Sequence, residues 1–176
     1  MTHVRIPVPA TEAKFADLPF GEQLMIWAMR LWARTDTAKP QVHALLRKGF
    51  ALAGIEDAHG AFDSLMTMLA TTTTRPVDIR CATCGTVSGD EQRLLGALAD
   101  HQNPGSGIPG DNTAAESFLS VWLPPAARRL AREPIGDLAR TLARMGLMIR
   151  LRRQARGPDT AAGPAPRRTI SPVTLH

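Results

Sequence analysis

Cysteine is nearly absent from this chain: 176 residues contain two. Two cysteines cannot build a disulfide scaffold, so the fold has to be held by packing. Long apolar runs are missing too. The longest, Leu24–Met29, is far too short to span a bilayer. Met1–Ala10 carries no extended apolar core after Arg5, unlike a secretory leader, which sets the expectation of a cytoplasmic protein with reduced thiols. No aromatic residue follows Trp122, so the C-terminal third offers no platform for stacking bases. There is no G-x-S-x-G and no zincin histidine pair. Gly105, Gly107 and Gly110 do spell G-x-G-x-x-G, but they follow a helix and lie among prolines, outside the strand-to-helix context of a dinucleotide site. Carboxylates are scattered without an acid–base pair. Nothing here argues for an enzyme.

What is present is a globular composition, 44% hydrophobic and 21% charged. Helical periodicity places apolar stripes over about Pro19–Arg34, Pro40–Ala53, Asp57–Ala70, Asp90–His101 and Thr113–Leu123. Pro124-Pro125 starts a short helix to about Arg132, and Pro134 begins a last one to about Arg153. Gly54 is a plausible C-cap, and Ser88-Gly89-Asp90-Glu91 reads as a capping box. The expectation is a mainly α, single-domain helical bundle of about six helices. Residues 1–18 read as a flexible arm, residues 19–156 as the helical domain, and residues 157–176 as a disordered tail.

The one β signal surrounds the cysteines. Thr71–Thr74 stop the helical pattern, because β-branched residues lose rotamer freedom in a helix. Val77, Ile79 and Cys81 then alternate with Asp78 and Arg80, the period of a strand, and Thr86-Val87 could pair back as a small hairpin. Cys81-Ala82-Thr83-Cys84-Gly85 at its tip brings two sulfurs close enough to share one metal ion. This strand, turn and short strand resembles one knuckle of a zinc ribbon. A ribbon has two knuckles and four thiolates. This chain has one, so the ribbon's nucleic-acid functions are not carried across. A zinc site at Cys81 and Cys84 would need two further ligands, with His43, His59 and His101 as candidates, or a second copy's cysteine pair. His3 and His176, near the ends, are poorer ones.

Two other readings of the pair stand beside the metal. The cysteines could be small apolar residues in a tight turn. They could also form a thiol-redox site, although the following helix opens at Ser88, four residues after Cys84, beyond the short reach of its dipole.

Charge is uneven. Residues 1–123 carry ten Lys and Arg against thirteen Asp and Glu, while residues 124–176 carry eleven Arg against three acids. Arg140, Arg144, Arg150, Arg152 and Arg153 are the candidates for holding nucleic acid or an acidic surface. Against them, the cluster from Arg150 onward falls where cations offset a helix C-terminal dipole, and Arg140 and Arg144 share the face that the apolar stripe leaves open. The sequence as a whole favours a non-enzymatic interaction or regulatory protein with an unidentified protein partner or a second copy as its mate, and with zinc as its one candidate cofactor. A nucleic-acid-associated protein and a thiol-redox protein are the alternatives.

Overall fold

The computed structural model describes residues 13–34, 39–103 and 118–150. Among them are five α-helices: α1 (Phe20–Trp32), α2 (Lys39–Leu52), α3 (Ala58–Thr72), α4 (Gly89–Gln102) and α5 (Pro125–Arg144). The protein is mainly helical. The principal contacts run α1 to α2, α2 to α3, α3 to α5, α5 to α4 and α4 back to α1, so each helix has two main neighbours. Inside this ring lies one apolar core, with Met25, Ile26, Phe50, Phe62, Leu98, Trp122, Ile135 and Leu138 among its fully buried side chains. No helix among the described residues is long and apolar enough to cross a membrane.

The first four helices fall where the apolar periodicity places them. Gly54 closes α2 with a positive φ of 73°, and Ile55 N–H reaches back to Phe50 O at 2.8 Å. Of the expected fifth helix, only Phe118–Leu123 lies within the described residues, and it buries Leu119, Trp122 and Leu123. Residues 1–12, 104–117 and 151–176 lie outside them, which covers the tail and most of the arm.

The structure corrects the expectation in three places. First, Pro134 does not begin a helix. It sits inside the continuous α5, whose buried stripe Ala127, Ala131, Ile135, Leu138 and Leu142 passes through it without a change of register. An interior proline costs about 3 kcal/mol through a lost hydrogen bond and a clash, and burial of that stripe over five turns outweighs it.

Second, the helix stops at Arg144 rather than near Arg153. Gly146 takes φ 71°, and Leu147 N–H bonds Leu142 O at 2.9 Å, which closes the end as in α2. Beyond it, Ile149 continues the apolar spacing only because the returning chain buries it: Ile149 N–H donates to Gln102 Oε1 (2.7 Å), and Arg150 N–H to the buried Glu22 Oε1 (3.0 Å).

Third, no hairpin flanks the cysteines. Residues 77–81 form no strand, Ile79 N–H turning back to Val77 O at 3.1 Å, and the single β-bridge among the described residues joins Lys14 to Thr86. Residues 13–18, expected in the flexible arm, are docked. Phe15 N–H donates to Gly85 O (2.8 Å), Val87 N–H donates to Ala13 O (2.9 Å), and Leu18 is buried.

Candidate functional site: the Cys81–Cys84 turn

The N-terminus of α4 builds this site. Ser88 caps the helix: its Oγ accepts Glu91 N–H at 3.0 Å, and Glu91 Oε2 accepts Ser88 N–H at 2.9 Å, the reciprocal box that the sequence spells. The Glu91 carboxylate does more than cap. It is fully buried and receives Arg30 from α1 in a fork, Nε to Oε1 at 2.8 Å and Nη2 to Oε2 at 3.0 Å. Oε1 also accepts Arg80 N–H at 3.1 Å, on the chain entering the cysteine turn. Arg30 holds the chain leaving it, with Nη1 donating to Cys84 O at 2.6 Å and Nη2 to Thr86 O at 2.7 Å. Its guanidinium carbon lies 5.5 Å from the centre of the Phe15 ring. Both charges are thus paired and hydrogen-bonded, the condition for keeping an ion pair out of water.

Asp90 repeats this role one residue earlier. Its Oδ1 accepts Arg75 Nη2 (3.0 Å) and Arg93 Nη1 (2.7 Å), and its Oδ2 accepts Arg75 Nη1 (3.1 Å) and Asp78 N–H (2.9 Å). Burial alone would raise its pKa. The hydrogen bonds from Arg75, Asp78 and Arg93, with the charge of Arg75, outweigh burial and hold the carboxyl below the usual 3.8. Ser88 Oγ completes the set by donating to Asp78 O. The segment entering the turn therefore satisfies much of its backbone on carboxylates and a hydroxyl at a helix N-terminus, where a strand would use a neighbouring ladder. The alternation read in the sequence holds only in part: Val77 and Ile79 pack against the core while Asp78 is exposed, but Arg80 is half-buried and Cys81 exposed.

Cys81 and Cys84 are joined by a disulfide at the tip, across a turn closed by Cys84 N–H to Cys81 O at 3.1 Å. Cys81 is exposed and Cys84 half-buried, so the pair is not apolar filler. The three candidate histidines are not gathered at the sulfurs. His101 on α4 donates from Nδ1 to Ala97 O at 2.8 Å and faces Gly136 of α5. His43 and His59 face each other across α2 and α3, with Nδ1 and Nε2 3.4 Å apart. Asp63 Oδ1 lies 3.7 Å from His43 Nδ1 and accepts Trp32 Nε1–H at 2.7 Å. Burial, Arg47 and His43 lower the pKa of His59 from its ordinary 6.5, against an opposing pull from Asp63. Among the described residues, no three His, Cys, Asp or Glu side chains assemble to hold a metal ion.

The basic candidates form no unopposed basic cluster among the described residues. Arg140 pairs with Asp137, and Arg144 Nη2 donates to Thr141 Oγ1 at 3.1 Å. Both line a groove between α3 and α5 that also contains Asp57, Glu133 and Asp137, carboxylates that would repel a phosphate backbone. Arg150 anchors to Glu22 through its backbone N–H. Arg152 and Arg153 lie outside the described residues.

The residues that organise the site, Arg30, Glu91 and Asp90, did not stand out in the sequence as site residues. The available signal was Arg30, the single charge in the largely apolar run Gln23–Trp32 that follows Glu22 in α1. A lone charge on a face too apolar to reach water needs a buried partner. Comparison with known protein families, with curated proteins and with solved structures found no match.

Proposed function

We propose that this protein is a redox-responsive interaction or regulatory protein, in which Cys81 and Cys84 cycle between a disulfide and a dithiol. The observation that carries the reading is the disulfide itself, set at the tip of an exposed turn whose two legs are fixed to a buried ion pair. A thiolate from a small thiol or a protein dithiol attacks Cys81 Sγ, the exposed sulfur. A mixed disulfide forms and Cys84 leaves as thiolate. A second thiol of the reductant then displaces Cys81, takes the disulfide onto the reductant and leaves two thiols on this chain. The turn stands apart from the helix it precedes, with Ser88 as N-cap, so neither sulfur gains the dipole activation of a dedicated oxidoreductase. That favours a slow, regulatory couple over a catalyst.

Equilibration of the untagged full chain in glutathione buffers of graded potential, followed by alkylation and mass spectrometry, tests this. The expected result is a single two-electron transition between dithiol and disulfide. A chain that stays reduced at every ratio overturns the reading. Zinc bound by the reduced chain in proportion to its thiols would replace it with a metal knuckle completed by a second copy.

A further inference from the structure

The entering leg of the cysteine turn at Arg80 and its leaving leg at Cys84 and Thr86 are held by the same two buried side chains. Glu91 Oε1 holds the entering leg at Arg80 N–H, and Arg30 holds the leaving leg at Cys84 O and Thr86 O. Because Arg30 and Glu91 are bonded in a fork, the two legs are also tied together inside the protein, beneath the turn. The leaving leg is also where the N-terminal segment docks. Gly85 O accepts Phe15 N–H, Val87 N–H reaches Ala13 O, and the Phe15 ring lies beside the Arg30 guanidinium.

Resting on the redox reading above, we propose that Arg30 and Glu91 are positioning residues that hold the two sulfurs at bonding distance, and that through them the redox state of Cys81 and Cys84 controls the docking of residues 13–18. In the reduced state two thiols held close keep a high effective concentration for each other, which favours closing the disulfide over mixed disulfides with external thiol. In the oxidised state the covalent link narrows the freedom of Cys84–Val87 and steadies the carbonyl and amide groups on which Ala13 and Phe15 dock. Linkage makes the two effects reciprocal: whatever factor disulfide formation adds to docking, docking adds to disulfide formation.

The experiment has two arms on the full chain. Arg30→Lys keeps the charge opposite Glu91 but cannot fork to Cys84 O and Thr86 O together. Hydrogen bonds from a charged donor are strong enough that their loss is expected to lower the glutathione oxidation equilibrium about tenfold, while circular dichroism shows the helices retained. The second arm needs no variant. Hydrogen exchange at Phe15 and Val87 is measured in oxidised and reduced wild type, with faster exchange at both amides expected after reduction. Should Arg30→Lys not fold, Phe15→Ala takes its place and is expected to shift the equilibrium in the same direction by reciprocity.

An unchanged oxidation equilibrium in folded Arg30→Lys overturns the positioning role, and one in Phe15→Ala overturns the coupling. Equal exchange in the two redox states overturns the coupling. Both results are distinct from a wild-type chain that never oxidises, which would remove the redox reading itself. A residue that merely stabilised the fold would move the unfolding midpoint and leave the oxidation equilibrium of the folded chain unchanged.

Discussion

The two ends of the molecule are held by different physics. Around α2, α3 and α5 the interior is apolar: Phe50 meets Phe62 edge to face with ring centres 5.4 Å apart, and Leu46, Leu65, Leu138 and Leu142 fill the space around them. Arg140 and Asp137 there pair at the exposed surface. Around α1, α4 and the cysteine turn, a charged network enters the interior, with Glu91 and Arg30 at 0% and 3% exposure. Apolar packing is tolerant, because it is a sum of many small contacts. The network is not, because losing one member leaves another charged or polar group buried without a partner. The Cys81–Cys84 turn is built on the intolerant end, where small changes in position carry a large energetic consequence.

The sharpest way to break that contrast is to remove one buried charge. Glu91→Ala leaves Arg30 unpaired and frees Arg80 N–H and Ser88 N–H at once, and is expected to cost about 3–5 kcal/mol in denaturant unfolding. Arg140→Ala at the other end removes only an exposed pair and is expected to stay within about 0.5 kcal/mol. Similar costs for the two would erase the distinction.

The apolar end has its own weak point at a close approach. Gly49 of α2 lies under the Trp27 ring of α1, where an added Cβ would come within 2.4 Å of the ring. Gly49→Ala is therefore expected to cost about 1–3 kcal/mol through overpacking, despite alanine's better helix propensity. A stabilised variant would show that α1 and α2 separate without strain.

The same contrast decides what could be read from the sequence. Helices α1 to α4 were legible because a face buried against apolar neighbours writes its period into the chain, and Gly54 and Ser88 punctuate it. The cysteine segment was half legible. Its alternation marks Val77 and Ile79 correctly but not Cys81, which is exposed, and alternation does not say what receives the backbone N–H groups, which carboxylates at the start of α4 do in place of a strand. Glu91 looked like a capping residue and is one, yet the carboxylate whose Oε2 closes the cap also accepts Arg30, a contact 61 residues away that no local pattern carries. In α5 the apolar spacing continued past Gly146 into a segment that returns across α1 and α4, so periodicity alone overran the true end. The histidines could not be sorted by spacing, since His43 and His59 meet only when α2 and α3 pack.

The smallest expected effects are in the pH dependence, and they separate the two ends by window. His59 has a folded pKa below 6.5, so the unfolded chain binds its proton first as pH falls. Its contribution is unaffected above about pH 6.5 and erodes below it until the folded histidine is protonated too. Asp90 is the reverse case in charge and lies lower in pH. Its folded pKa is depressed below 3.8, so its stabilisation is complete above that value and is lost as pH falls through the folded pKa. Unfolding midpoints at pH 7.5 and 5.5 isolate the histidine, because Asp90 is ionised at both. His59→Gln is expected to show a smaller fall between these two pH values than wild type, while Asp90→Asn is expected to lose stability at both and to keep the wild-type fall. An equal fall in wild type and His59→Gln would place the mildly acid sensitivity elsewhere, and would leave the helical end without a titrating weak point of its own.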